Sequence, residues 1–335
     1  MDFDVGLPPV SLHQAAALAR QAEALGFDAL WTSETQHDPF LPLALAAEHT
    51  CRIRLGTAVA IGFARSPATL AYTAWDLAES SGGRFILGIG TQVRAHIERR
   101  FGMPWPASPV GKLREIVASL RAFWNAWQNG EPLHFHGEYF RLTLMTPFFN
   151  PGPIEHPDIP IFIAGVNPGM CRLAGEVAQG FHAHPLHSER YLREVVRPAL
   201  ARGAAKAGRN LSEVRLSVTA ITACDDTEAA FARMQLAFYA STPTYRPALA
   251  LHGWGDLADQ LRALARRGAW SEMPDLISDE MLHTFAVVAP QQELAEALKS
   301  RYQGLADRLT LYRAFTTDPG DPFWGPLVPQ VRGIA

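Results

Sequence analysis

The chain has little cysteine: Cys51, Cys171 and Cys224 are the only three in 335 residues, and they lie far apart in sequence. This spacing argues against a disulfide scaffold or a zinc ribbon and favours a reducing, cytoplasmic location. No run approaches the roughly 20 apolar residues of a membrane span, and the N-terminal segment does not resemble a signal peptide. The 30 basic and 33 acidic residues give a net charge of −3, which argues against nucleic acid or an anionic membrane as the main partner.

Hydrophobic residues make up 48% of the chain and charged residues 19%, a composition that supports a large buried core. Short apolar segments alternate with helical patterns along the sequence. The segments that predict strands are Phe3–Leu7, Ala29–Ser33, Ile53–Ile61, Arg84–Gly90, Pro160–Val166, Phe181–Pro185, Val214–Ala223 and Arg308–Arg313. Eight strands with helices between them predict an α/β fold, a parallel (β/α)₈ TIM barrel that forms a single domain over residues 1–335.

Two stretches are longer than one strand–helix repeat, and they follow strands 4 and 7. Residues 91–159 contain a predicted helix, Lys112–Asn129, and then the hairpin pattern LHFHGEYFRL, whereas residues 226–283 contain helices and a turn-rich segment. Inserts after barrel strands lie on the catalytic face, where we expect them to form lids and pockets. The Pro- and Gly-rich segment 314–335 is expected to wrap the surface.

The turn Gly165-Val166-Asn167 has the composition of a phosphate-binding site. Gly165 permits close backbone approach, Asn167 can cap the following helix, and Pro168 suits the first helical position. The helix N-terminus would then present free N–H groups at the barrel mouth. The same residues are also typical of an ordinary strand–helix turn, so both interpretations stay open.

Titratable side chains follow two other predicted strands. Glu34, His37 and Asp38 come just after strand 2, which is a pattern suited to general acid–base chemistry or to fixing the loop by hydrogen bonds. The histidines of strand 6 are His182, His184 and His187. They lack a clear third ligand for a hydrolytic zinc site, so we expect no metal and keep a metal-dependent hydrolase only as an alternative.

Blocks at the strand ends resemble the bacterial luciferase-like flavin and deazaflavin oxidoreductases, closest to a subfamily that depends on coenzyme F420. The resemblance is carried in order by GFDALWTSETQHDPFLPLALAAEHT, LGTAVAIGFARSPATLA, SGGRFILGIGTQVRAHIERRFGMPW, LHFHGEYFRLTL, IAGVNPGMCRLAGEVAQGFHAHP and AFYASTPTYRPALALHGWGD. It implies a TIM barrel, a (deaza)flavin at the carboxyl ends of the strands, a small-molecule substrate and a homodimer.

The resemblance also implies roles for individual residues. Ala58-Val59 matches a non-proline cis peptide that backs the cofactor ring, and relatives have Asp-His where Glu34-Thr35 stand here, which leaves the acid–base roles to Glu34 and His37. Val93 stands where a relative has an acid. The expected cofactor-binding residues are Thr57, Ala58, Val59, Thr91, His96, Ala164, Gly165, Val166, Asn167 and His184.

The function that these residues predict is hydride transfer between coenzyme F420 and a small organic substrate. The first alternative is an FMN-dependent luciferase-like monooxygenase, because both cofactors present a phosphate and a tricyclic ring. A non-catalytic flavin-binding protein is the second alternative, and the titratable cluster from Glu34 to Asp38 argues against it because a binding protein needs no such loop above the ring.

Overall fold

The computed structural model describes residues 1–316 and 321–333. Its strands are β1 (Asp2–Gly6), β2 (Ala29–Thr32), β3 (Arg54–Thr57), β4 (Ala60–Ile61), β5 (Phe85–Gly90), β6 (Phe135–His136), β7 (Arg141–Leu142), β8 (Ile161–Gly165), β9 (Gly180–Ala183), β10 (Arg215–Ala223), β11 (Ala286–Val288) and β12 (Arg308–Leu311). Eight of these strands pair in parallel in the order β1, β2, β3, β5, β8, β9, β10 and β12, and β12 pairs again with β1. The ring is closed, which confirms the predicted (β/α)₈ barrel.

Helices cover the outside of the barrel and form the inserts. They are α1 (Leu12–Leu25), α2 (Leu41–His49), α3 (Pro67–Ser80), α4 (Arg94–Arg99), α5 (Pro109–Asn129), α6 (Pro168–Val177), α7 (Glu189–Tyr191), α8 (Arg197–Lys206), α9 (Asp226–Ala240), α10 (Arg246–Ala250), α11 (Gly255–Arg267), α12 (Asp279–Phe285), α13 (Leu294–Tyr302) and α14 (Trp324–Arg332). A π-helical turn, Leu192–Val196, joins α7 to α8. Among residues 1–316 and 321–333, no helix combines the length and hydropathy that crossing a bilayer requires.

The third predicted strand, Ile53–Ile61, is not continuous. It divides into β3 and β4, and the peptide bond between Ala58 and Val59 at the break is cis. Periodicity could not show this break, because the whole segment is apolar and a kink leaves its hydrophobicity unchanged. The cis geometry agrees with the expectation from the resemblance.

One strand escaped the sequence-based prediction altogether. Strand β11 has only three residues and pairs in parallel with the end of β10, so that Ala286 faces Ile221. Three residues are too few for a period-2 pattern to be visible. The second insert therefore runs from the end of β10 to the start of β11, two residues beyond the predicted boundary of 283.

The segments outside the barrel are partly as predicted. Residues 91–159 contain α5 and the antiparallel hairpin of β6 and β7. The C-terminal segment is not an irregular wrap, because α14 buries Trp324 against Phe27 with ring centroids 5.5 Å apart. The predicted tail residues 317–320 and 334–335 lie outside the described part of the chain.

Polar and aromatic side chains fill the part of the barrel interior that lies beneath the carboxyl ends of the strands. The Arg308 guanidinium contacts Asp4 twice, with Nη2 at 2.7 Å from Oδ1 and Nε at 2.8 Å from Oδ2, and Trp31 Nε1 donates to Oδ2 at 2.9 Å. The His182 ring packs edge-on against Trp31 at 4.8 Å between centroids. Burial, and then the Arg308 charge, lowers the pKa of His182 to about 3. This layer closes the floor beneath the carboxyl ends of the strands.

Candidate active site

Small side chains face an open cup at the carboxyl ends of the barrel strands. Successive alternate residues of a strand point to the same side, so Gly6 lies above Asp4 and Ala164 lies above Phe162 inside the barrel. Gly6 and Ala164 are half-buried, whereas Asp4 and Phe162 are at most 2% exposed. A Cβ atom added to Gly6 would meet no heavy atom within 4 Å. The barrel is therefore filled below this level and open above it.

The turn after β8 borders the cup and has the predicted cap. Asn167 Oδ1 accepts a hydrogen bond from Met170 N at 3.1 Å, and Tyr191 OH donates to Val166 O at 2.9 Å. A Cβ atom on Gly165 would lie 2.5 Å from Met170 Cβ, so glycine is required for the close approach of α6. Amides in the first turn of a helix have no intrahelical acceptor. The turn can therefore receive an anionic group such as a phosphate.

The residues around the cis peptide form a tight junction between β3 and β5. Thr57 Oγ1 donates to Gly88 O at 2.6 Å and accepts from Gly88 N at 3.0 Å. A Cβ atom on Gly88 would lie 1.7 Å from Thr57 O. Gly88 therefore permits the close contact between the two strands. Ala58 packs against the aromatic residues of the barrel interior and, like Val59, is half-buried at the cup.

Glu34 forms an ion pair that the sequence analysis did not foresee. Its Oε2 atom accepts from Arg65 Nη1 at 2.5 Å and from Ile61 N at 2.7 Å, and its side chain is 7% exposed. Arg65 Nη2 also contacts Asp38 Oδ2 at 3.1 Å. The signal that could have identified Arg65 is its position, because it is a charged residue directly after the apolar third strand on the catalytic face.

The other two titratable residues of this loop differ from Glu34 in their surroundings. Asp38 Oδ1 accepts from Phe40 N at 2.8 Å and so fixes the start of α2. The His37 side chain is exposed, and it makes no hydrogen bond within the described residues. The structure therefore does not assemble Glu34, His37 and Asp38 into one hydrogen-bonded group. Of the three, His37 is the side chain that is free to meet a ligand.

An aromatic cluster around His184 stands above the end of β9. The His184 ring lies 4.6 Å from Tyr239 and 4.2 Å from Tyr245, measured between centroids. Its Nδ1 atom accepts from Leu186 N at 3.1 Å, and burial, with a smaller effect of His187, lowers the pKa of His184 to about 3. The imidazole is therefore neutral at pH 7, with its proton on Nε2, and it can donate a hydrogen bond.

Two tyrosines extend this cluster, and sequence reasoning did not assign them to the site. Tyr239 OH donates to Tyr312 OH at 2.8 Å, and Tyr312 OH donates to Gln235 Oε1 at 3.3 Å. Burial is the main cause of a raised pKa at Tyr239, so its hydroxyl stays protonated. Only knowledge of how the second insert folds over β12 could have brought these residues together.

The remaining predicted residues are dispersed. His187 lies behind the cup, with Nδ1 at 2.9 Å from His184 O and Nε2 at 3.2 Å from Tyr302 OH, so it shares no site with His182. Thr91 is half-buried at the end of β5, and His96 is exposed on α4. The predicted cofactor roles of Thr91 and His96 stay predictions.

Comparison with known proteins agrees with this geometry. A family model described as luciferase-like monooxygenase matches residues 3–308. The uncharacterized protein Rv1360 of Mycobacterium tuberculosis is 51% identical over 310 residues, which is 91% of each chain. The putative coenzyme F420-dependent oxidoreductase Rv3520c of the same species is 31% identical over 304 residues, covering 84% of this chain and 85% of the relative.

A solved structure shares the same fold over nearly the whole chain. The coenzyme F420-dependent tetrahydromethanopterin reductase of Methanopyrus kandleri superimposes with a TM-score of 0.79 at 22% identity, covering 98% of this chain and 96% of that one. At 22% identity this structural match shows only that the two proteins share a fold. The family model and the two relatives match at the level of sequence. The chain belongs to the luciferase-like monooxygenase family.

Proposed function

We propose that this protein is an oxidoreductase that transfers a hydride between the deazaflavin coenzyme F420 and a small organic substrate. The observation that carries the proposal is the open cup above a closed barrel floor, lined by Gly6 and Ala164 and bordered by the capped turn at Asn167. A flat tricyclic ring with a phosphate-bearing side chain would lie in the cup with its phosphate at the turn. The name of Rv3520c supports coenzyme F420 in particular.

The chain's own residues suit such a cofactor. The turn from Gly165 to Asn167, held by Tyr191, would bind its phosphate, while Ala58 and Val59 would back its ring. When bound, the deazaflavin supplies the hydride chemistry, and the protein positions the ring and excludes water. Thr57, Thr91, His96, Ala164 and His184 are proposed as further cofactor contacts.

The acid–base roles are proposed for Glu34 and His37. Arg65 holds the Glu34 carboxylate in one position, so Glu34 supplies a fixed negative charge at the edge of the cup. His37 is exposed and can exchange a proton with solvent during turnover. A substrate would enter between this loop and the aromatic cluster around His184.

The proposal is tested by titrating the purified apoprotein with F420 and with FMN, followed by absorbance and fluorescence. We expect F420 to bind with a micromolar dissociation constant and FMN to bind more weakly. Binding of neither cofactor below about 100 μM, which corresponds to about 5 kcal/mol, would contradict the proposal. Tighter binding of FMN than of F420 would instead favour the alternative function.

That alternative is an FMN-dependent monooxygenase, and the description of the matching family favours it. The two functions differ in their reaction with oxygen. An FMN complex that consumes oxygen after reduction, without added substrate, would support the monooxygenase. A non-catalytic flavin-binding protein would be indicated if Glu34→Ala and His37→Ala left every detectable turnover unchanged.

We further propose that the protein works as a homodimer in the cytoplasm, on a small-molecule substrate. Light scattering of the purified protein would test the dimer, for which the expected mass is twice the 36.8 kDa of one chain. A monomeric mass at micromolar concentration would contradict it.

A further inference from the structure

A second cavity lies outside the cup, between the start of the helix after β9 and the second insert. Its volume is about 360 Å³, within the range of small-molecule sites. The side chains that matter to its chemistry are Ser188, Arg190, Arg193, His252, Thr284 and Arg301. They come from four separate segments of the chain. The cavity is therefore formed only when the insert is packed on the barrel.

Three hydrogen bonds fix the insert at this seam. Ser188 Oγ lies 2.7 Å from His252 Nε2, Arg190 Nη1 donates to Leu251 O at 3.0 Å, and Arg301 Nη2 donates to His283 O at 2.6 Å. Two of the three use a guanidinium group that also borders the cavity. A ligand bound there would contact both sides of the seam at once.

The balance of charge in the cavity is positive. Two glutamates also line it, but each is already paired within the same helix, Glu189 with Arg193 at 2.8 Å and Glu194 with Arg190 at 3.0 Å. The third guanidinium, that of Arg301, has no carboxylate partner within the described residues. The guanidinium is held by the protein through Nη2, which donates to His283 O, and by its interaction with the Tyr302 hydroxyl, so Arg301 adds an uncompensated positive charge to the cavity wall.

A guanidinium group without a carboxylate partner leaves an uncompensated positive charge at the cavity, which attracts a negatively charged ligand. A planar guanidinium matches the oxygens of phosphate and carboxylate groups. Thr284, which follows the His283 carbonyl bonded to Arg301, adds a hydroxyl-bearing residue to the cavity lining. These features favour a ligand with a compact negative charge.

We propose that this cavity binds the phosphate or carboxylate group of a small metabolite, with Arg301 as its main contact. The site differs from the cup and does not depend on which cofactor the cup binds. It adjoins the cup through a short chain of contacts, because Arg301 precedes Tyr302, whose hydroxyl lies 3.2 Å from His187, and His187 contacts His184 O at 2.9 Å. Ligand binding at the seam would thus also reduce the mobility of the aromatic cluster around His184.

The test is titration of the purified protein with inorganic phosphate and, separately, with citrate, followed by calorimetry and by the phosphorus NMR shift of phosphate. Chloride at equal ionic strength is the comparison. We expect saturable binding to the wild type and at least tenfold weaker binding to Arg301→Gln. The matched control is Arg94→Gln, which removes an equal charge from an exposed pair with Glu98 and is expected to bind like the wild type.

The two probes separate the ligand classes, since tighter binding of phosphate indicates a phosphorylated metabolite and tighter binding of citrate a carboxylate. If Arg301→Gln does not fold, Arg193→Gln serves instead, because that side chain is 55% exposed, and at least threefold weaker binding is expected. Equal binding by the wild type and the folded cavity variant would overturn the proposal. The absence of saturable binding of either probe to the wild type would overturn it too.

Discussion

Glu34 and Arg65 link two adjacent strand ends across the edge of the cup, with Glu34 Oε2 at 2.5 Å from Arg65 Nη1. Glu34 follows β2 and Arg65 follows β4, so the pair fixes the loop that carries His37. The guanidinium also lies 5.3 Å from the centroid of the Phe40 ring. The pair therefore fixes the geometry of this edge of the candidate site.

Replacing Arg65 with glutamine is expected to destabilise the fold. Glu34 would keep only the Ile61 amide as a partner in a largely buried position, and we expect a loss of about 2 kcal/mol in the free energy of unfolding. Urea denaturation measures this loss. The control Arg94→Gln breaks an exposed pair and should cost at most about 0.5 kcal/mol. Equal effects of the two changes would contradict the structural role of the pair.

Replacing Gly6 with leucine tests whether the cup is the cofactor site. A Cβ atom added at Gly6 would meet no heavy atom within 4 Å, so the melting temperature should stay the same or rise. We expect F420 affinity to fall at least tenfold, about 1.4 kcal/mol, in a fluorescence titration. Gly325→Leu is the matched control, because a Cβ there also meets nothing within 4 Å. Unchanged F420 binding by Gly6→Leu would place the cofactor elsewhere.

Replacing Tyr191 with phenylalanine releases the carbonyl of Val166 in the turn after β8. The lost hydrogen bond is worth about 1 kcal/mol, so we expect about fivefold weaker binding of F420. The phosphate-free deazaflavin chromophore should bind as before, since the turn is proposed to bind only the phosphate. Tyr72→Phe removes a similar hydroxyl-to-carbonyl bond, to Phe149, far from the cup and serves as the control. A matching loss for the phosphate-free chromophore would argue against phosphate binding at this turn.

The pH dependence of stability follows from the neutral, half-buried His184. Its pKa is about 3 in the folded chain and 6.5 unperturbed, so between these values the unfolded chain binds more protons than the folded one. The stabilisation is complete above pH 6.5 and is lost as the pH falls towards 3, with about 2 kcal/mol lost from pH 7 to pH 5.

Urea unfolding at pH 7 and pH 5 checks this expectation. His184→Gln should reduce the loss of stability by about 2 kcal/mol. An undiminished loss in His184→Gln would show that His184 is protonated in the folded chain. Because His187 is also neutral and buried, the double variant should flatten the dependence further.

The barrel could be predicted from the sequence because each strand is an apolar run with both faces covered. The Asn167 cap is formed as the composition of its turn suggested. These features depend on local chemistry alone. The break at Ala58-Val59 required the resemblance, since nothing in the local pattern marks it.

The candidate site was less accessible to sequence reasoning because its contacts are long-range. The Glu34–Arg65 pair joins residues 31 positions apart, and the Tyr239–Tyr312 bond joins residues 73 positions apart. Residue type identified Glu34 as important but could not reveal its partner. In the sequence, nothing distinguishes Tyr239 and Tyr312 from tyrosines of the core. Their contact is visible only in the folded structure, where the insert packs on the barrel.

The pairing of β11 with the end of β10 also bears on how such a protein can diversify. The second insert begins after Ala223, the last residue of β10, and ends before Ala286, the first residue of β11. Strands β10 and β11 lie side by side. An insert whose two ends are adjacent can be replaced by one of another length without breaking the pairing of the barrel strands. Chimeras that swap residues 224–285 between related chains should therefore keep the scaffold intact while altering the choice of substrate.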